Sequence, residues 1–123
     1  MKLIIIVEDN PSIMETMTII LKSGGYSVTG FFDASLILAN DYVVPDIFII
    51  DKLLHGFDGL ELCRHLKKQE ATKDIPILMI SANPGITDLA RNAGADDALE
   101  KPFKMVELTD RVARLLRSSE DIK

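Results

Sequence analysis

The stretch FIIDKLLHGFDGLE, Phe48 to Glu61, decides the fold. It opens on three apolar residues in succession, Phe48, Ile49 and Ile50, as a strand buried on both faces should read, and then Asp51 arrives. A buried strand that ends on a carboxylate needs something for that carboxylate to meet. Working outward, the same unbroken, isoleucine-rich pattern recurs in LIIIV (Leu3 to Val7) and ILMI (Ile77 to Ile80), beside IFII (Ile47 to Ile50) itself. SVTGFF (Ser27 to Phe32) and DALE (Asp97 to Glu100) are weaker strand candidates.

Helical patterns fill the gaps. Ile13, Met14, Met17, Ile20 and Leu21 fall on one helical face, with Asn10 as cap, Pro11 in first position and Gly24-Gly25 as stop. Leu62 and Leu66 mark a helix over about Gly59 to Glu70, a shorter one is expected over Pro84 to Asn92, and Ala34 to Asn40 is a further candidate. Met105, Leu108, Val112, Leu115 and Leu116 give the last. Strand and helix alternate five times with short connections, which predicts an α/β fold: a five-stranded parallel sheet with helices on both faces. The pattern predicts one domain over 1–118 and a polar tail, 119–123, with fraying after Arg117.

The totals agree. A chain of 123 residues with 47% hydrophobic and 27% charged residues is long and apolar enough for one globular core. Cys63 is the sole cysteine, which excludes an internal disulfide and suits a reducing compartment. No apolar run approaches the ~18 residues of a membrane span, and the short MKLIIIV runs straight into acidic residues, unlike a signal peptide. A cytoplasmic location is therefore expected. The formal net charge of −5 argues against direct nucleic-acid contact, which needs a basic footprint.

In open α/β sheets, ligands bind beyond the carboxyl ends of the strands. Glu8 and Asp9 follow the first strand, Asp51 ends the third, Ser81 follows the fourth, and Lys101 follows the fifth, ahead of Pro102 and Phe103. All fall on one edge. Singly they are ordinary: Glu8 and Asp9 could merely favour a helix N-terminus, and Asp58-Gly59 reads as a turn. Together, three carboxylates invite a cation, and Mg2+ takes one or two carboxylates plus water and phosphate oxygens. A lysine and a hydroxyl opposite would bind phosphoryl oxygens, and an aspartate can attack a phosphoryl donor. Asp51 is the candidate phosphoacceptor.

IIIVEDN, FIIDKLLHGFDGLEL, PILMISA and GADDALEKPF, in that order and spacing, resemble the response-regulator receiver domain of two-component signalling over Leu3 to Leu116. The resemblance implies a flavodoxin-like sheet of order 2-1-3-4-5, with Asp51 as phosphoacceptor. It implies Asp9 as direct Mg2+ ligand, Glu8 as its outer partner, and the Leu53 backbone carbonyl as another ligand. Ser81 would bind the phosphoryl group, Lys101 would pair with its oxygens, and the Lys101–Pro102 bond would be cis. The implied partners are a sensor histidine kinase or phosphotransfer protein and a downstream protein target. A monomer or weak dimer is expected, with no enzymatic role beyond self-phosphorylation and self-dephosphorylation.

Four positions depart from the family pattern. Ala98 stands where the family carries a switch aromatic, so the signal leaves either through backbone displacement or not at all; the alternative is an interaction module indifferent to phosphorylation. His55 replaces a usual proline and is expected to be a solvated bystander. Glu8 replaces the commoner aspartate. Leu53, two places after the acceptor, cannot orient a water, which implies a long-lived phospho-form; Asn83 is the matching position after Ser81. Asp97 and Arg111 resemble one ion pair of the family's dimers, but Thr87, Asn92 and Ala113 lack the charges for the others. A flavodoxin-like carrier would use the same edge, yet the acidic loop after Val7 lacks a phosphate cradle for FMN. Cys63 and the five methionines are expected in the core, and His65 on an exposed helix face.

Overall fold

A computed structural model describes the backbone of residues 1–122 and the side chains of 1–120. The three apolar runs form β1 (Leu3–Val7), β3 (Ile47–Asp51) and β6 (Ile77–Ser81), every residue from Ile4 to Val7, Ile47 to Asp51 and Ile77 to Ser81 being buried. With β2 (Ser27–Phe31) and β7 (Asp97–Glu100) they make one parallel sheet of order β2-β1-β3-β6-β7. Counting these strands alone, that is the expected 2-1-3-4-5. The helices are α1 (Pro11–Ser23), α2 (Ser35–Leu38), α3 (Gly59–Lys67), α4 (Ile86–Asn92) and α5 (Met105–Ile122).

The strands are apolar throughout because both faces are covered. Ile4, Ile6, Ile47, Ile49, Leu78, Ile80 and Leu99 pack with Met14, Met17 and Leu21 of α1 and Leu108, Val112 and Leu115 of α5. Ile5, Val7, Phe48, Ile50, Ile77, Met79 and Ala98 pack on the other face, with Leu62, Cys63 and Leu66 of α3 and Ile86 and Ala90 of α4. The period of two along each strand therefore sorts side chains between two cores.

Local chemistry sets the helix ends. Asn10 Oδ1 accepts from Ser12 N and Ile13 N, and Pro11 needs no partner for a missing N–H. At the other end, Gly25 takes φ +93°, Tyr26 N donates to Leu21 O and Gly25 N to Lys22 O, a Schellman closure that only a residue tolerant of the left-handed region makes cheaply. Other boundaries differ from expectation. α2 is a single turn, ending before Asn40, itself at φ +59°. α3 stops at Lys67, and α4 begins at Ile86 rather than Pro84. The segment expected to fray after Arg117 is helical backbone as far as Ile122; Lys123 lies outside the described residues. His65 is half-buried, with Nε2 3.1 Å from Gln69 Nε2.

An element the sequence did not announce is a two-stranded antiparallel ribbon, β4 (Leu53–Leu54) with β5 (Phe57–Asp58), directly after Asp51. Leu54 anchors it in the core, and exposed His55 sits at its tip beside Gly56. Behind it Gly59 N donates to Lys52 O at 2.7 Å, so closely that a Cβ on Gly59 would lie 2.0 Å from the Asp51 carbonyl oxygen. Gly59→Ala must displace this backbone and should cost about 1–3 kcal/mol, the range for forcing extra volume into packed structure. Urea unfolding measures it. A loss under about 0.5 kcal/mol, the range of a neutral surface change, would contradict the contact.

Candidate functional site

Period two along the strands places Glu8, Asp51 and Lys101 toward the same side of the sheet, that of α1 and α5: each keeps step with Ile6, Ile49 or Leu99. The structure brings these three together. Lys101 Nζ donates to Glu8 Oε1 at 3.1 Å and to Asp51 Oδ2. Glu8 is 1% exposed and Asp51 3%. The remaining oxygens are used too: Asn10 N donates to Glu8 Oε2 at 3.2 Å and Leu53 N to Asp51 Oδ1 at 3.0 Å. The ribbon β4–β5 thus fixes one oxygen of the candidate nucleophile, and lysine covers the other.

Ser81 and Ala98 keep step with Met79 and lie toward α3 and α4. The Ser81 hydroxyl oxygen accepts from Asn83 N at 3.0 Å and makes no bond to Asp51 among the described residues. Its backbone carbonyl accepts from Lys101 N at 2.7 Å, tying the loops after β6 and β7 together. Asp9 stands half-buried beside Glu8, its carboxylate without a hydrogen bond or ion pair among the described residues. The Lys101–Pro102 peptide is cis. Ala98 borders a cavity of about 220 Å³ shared with Thr87, Ala90 and Arg91. Arg111 Nη1 donates to the Ala98 carbonyl at 2.6 Å and lies 3.4 Å from Asp97 Oδ1, while Arg114 Nη2 lies 2.8 Å from Asp97 Oδ2. The Asp97–Arg111 pair is therefore made within one chain.

Several contributors escaped the sequence reading. Gly59 was legible as a turn but not as the residue that lets α3 press on Asp51; Asn10 is a helix cap and also a donor to Glu8. An apolar groove of about 420 Å³ opens beside Lys101, lined by Ile13, Met17, Pro102, Phe103 and Met105 among others. Its apolar α1 residues, half-buried Ile13 and buried Met17, belong to the core-facing pattern of that helix, so the sequence carried no separate signal for the groove.

Charge follows geometry. Burial first, then the hydrogen bond and repulsion from Asp51, push the Glu8 carboxyl up to about 7, against smaller opposing effects of Asn10 and Lys101. For Lys101, burial pulls the ammonium down, but Asp51 and Glu8 outweigh it and leave the pKa above its usual value. A carboxyl whose folded pKa is raised contributes most to stability below its unfolded pKa and loses that contribution as pH rises through the folded one. Metal-free stability should therefore fall between about pH 4.5 and about pH 7 by this group's share. Glu8→Gln should flatten that slope in urea melts across the window; an unchanged slope would contradict the assignment.

A family model of the response regulator receiver domain matches residues 4–113. The DNA-binding response regulator MtrA of Mycolicibacterium smegmatis is 38% identical over 121 residues, covering 96% of this chain and 52% of its own length. The chain spans about half the length of the curated relatives it matches. Among solved structures, the signal receiver domain of a signal transduction histidine kinase from Syntrophus aciditrophicus matches with TM-score 0.86 and 33% identity, covering 96% of this chain and 92% of that one. The receiver domain of sensor histidine kinase PA1611 from Pseudomonas aeruginosa PAO1 matches with TM-score 0.84 and 31% identity, covering 94% and 97%, and carries a magnesium ion in its active-site cleft. With a lysine clasping two strand-end carboxylates and a family match over nearly its whole length, this chain belongs to the response-regulator receiver domains.

Proposed function

We propose that this chain accepts a phosphoryl group on Asp51 from a phosphohistidine of a sensor histidine kinase or phosphotransfer protein, and signals by protein–protein contact as a monomer or weak dimer. One observation carries the reading: Asp51, almost buried at the end of β3, has one oxygen on the Leu53 N–H and the other on Lys101. Once Lys101 shifts, Oδ2 attacks phosphorus; the O–P bond forms as the donor P–N bond breaks, its electron pair leaving with the imidazole nitrogen. The lysine then pairs with a phosphoryl oxygen. Ser81 can donate its hydroxyl proton to another, since its oxygen already accepts from Asn83 N.

Magnesium suits this donor set. With Glu8 ionised, Glu8, Asp9 and Asp51 against Lys101 leave two negative charges in excess, and every candidate ligand is an oxygen. Among the described residues no three acidic, histidine or cysteine side chains stand close enough to grip a metal unaided. Magnesium needs only one or two protein carboxylates, with waters and phosphate oxygens as its other ligands. Asp9, Asp51 and the Leu53 carbonyl would hold it, with Glu8 outside them. When bound it neutralises charge on the transferring group.

Output rests on backbone. The Lys101 N to Ser81 O bond couples the two loops that flank the acceptor, and Arg111 holds the β7 carbonyl at Ala98. The groove beside Lys101 gives a partner helix an apolar seat next to the reacting aspartate. A second reading, an interaction module indifferent to phosphorylation, is favoured by Ala98, which offers no ring to move. The net charge of −5 speaks against direct nucleic-acid binding by these residues.

Incubation with acetyl phosphate and Mg2+, read by intact mass, should add one phosphoryl group to the wild type and none to Asp51→Asn or to wild type in EDTA. No gain in the wild type would favour the second reading. The phospho-form should persist for minutes or longer, because Leu53, 77% exposed, presents only carbon to an attacking water, and the Asn83 amide oxygen is already bonded to Gly85 N at 2.7 Å. Decay within seconds, followed by the same mass shift, would contradict it.

A further inference from the structure

A second recess lies at the opposite edge of the sheet from Asp51, one strand length or about 16 Å away. It holds about 490 Å³ between the connections α2–β3 and α3–β6, lined by Asn40, Tyr42, Val44, Gln69, Glu70 and Ala71. Beside it Val43 is 75% exposed and Val44 45%. Two adjacent aliphatic side chains thus stand in water, while Pro45, the next residue, is buried.

The walls are fixed. The Tyr42 ring packs edge-on against buried Phe48, with centroids 6.0 Å apart, and the buried Thr72 hydroxyl donates to Leu66 O at 2.6 Å. A rigid recess loses little entropy on being filled. Charge selects the visitor. The two connections carry Asp41, Asp46, Glu70 and Asp74 against Lys68 and Lys73. Asp46 is engaged by Leu3 N and Glu70 by Lys73, whereas Asp41 and Asp74 have no side-chain bond or ion pair among the described residues. A second copy would bring the same acids and a net charge of −5.

We propose that this recess docks a partner protein through a segment bearing an aliphatic anchor flanked by lysine or arginine, whether or not Asp51 is phosphorylated. The aliphatic side chain enters beside Tyr42 and Val44, and the flanking cations meet Asp41 and Asp74. This contact lies away from the phosphoryl chemistry, so it would hold the domain near its partner in either signalling state.

The test is an amide-shift titration of the isotope-labelled chain with a short synthetic peptide, a leucine pair flanked by lysines. Two controls replace the leucines by glycine or the lysines by glutamate. The expected result is shifts confined to residues 40–44 and 69–71, absent with either control and the same in Asp51→Asn. Val43→Ser combined with Val44→Ser, changes at exposed positions that spare the core, should weaken binding by about tenfold or more, as loss of an anchor does. No shifts, shifts spread over other acidic surfaces, or equal shifts with the leucine-free peptide would overturn the proposal. Shifts that follow protein concentration alone would also overturn it and give the face to a second copy.

Discussion

One ammonium placed between two almost buried carboxylates is the constraint on which the site depends. Unit charges about 4 Å apart near a protein surface interact by about 4 kcal/mol, a large share of the ~5–15 kcal/mol that holds a whole domain folded. Glu8 and Asp51 cannot both be charged in such a place without help. Lys101 supplies it, and the Glu8 carboxyl still rises to about 7. A buried strand that ends in a charge thus meets its partner fifty residues further along the chain.

The fold delivers the three groups by simple means. Parallel strands put all their carboxyl ends on one edge, and alternation along each strand turns Glu8, Asp51 and Lys101 toward the α1 and α5 side while Ser81 and Ala98 turn toward α3 and α4. Two carboxylates and the ammonium thus form one contact set, and the hydroxyl waits on the other side of the same edge. The ribbon and Gly59 complete the arrangement by pinning the backbone of Asp51 itself. A chemically ordinary set of residues becomes specific through strand register.

What the sequence revealed was what is local or periodic. Isoleucine runs identify strands covered on both faces, and Asn10-Pro11 with Gly24-Gly25 bracket α1 because capping and left-handed closure are single-residue chemistry. Convergence of the acids and Lys101 on one edge followed from topology. Their contacts did not: which residues touch depends on alternation counted from each core, and Asp9 stands outside the bonded set for the same reason. The β4–β5 ribbon was illegible because two-residue strands carry no period. The short α2 reflects a boundary where tertiary packing overrides a weak pattern.

Under the proposed function, Ala98 offers no ring to move, so the bonds Lys101 N to Ser81 O and Arg111 to Ala98 O would carry the change outward once the lysine changes partners. The most direct measurement is a crystal structure with Mg2+ and beryllofluoride on Asp51. Lys101 Nζ is expected within about 2.7–2.9 Å of a fluoride, the distance of a charge-assisted bond, and no longer bonded to Asp51. Lys101 still clasping both carboxylates with beryllofluoride bound would contradict it.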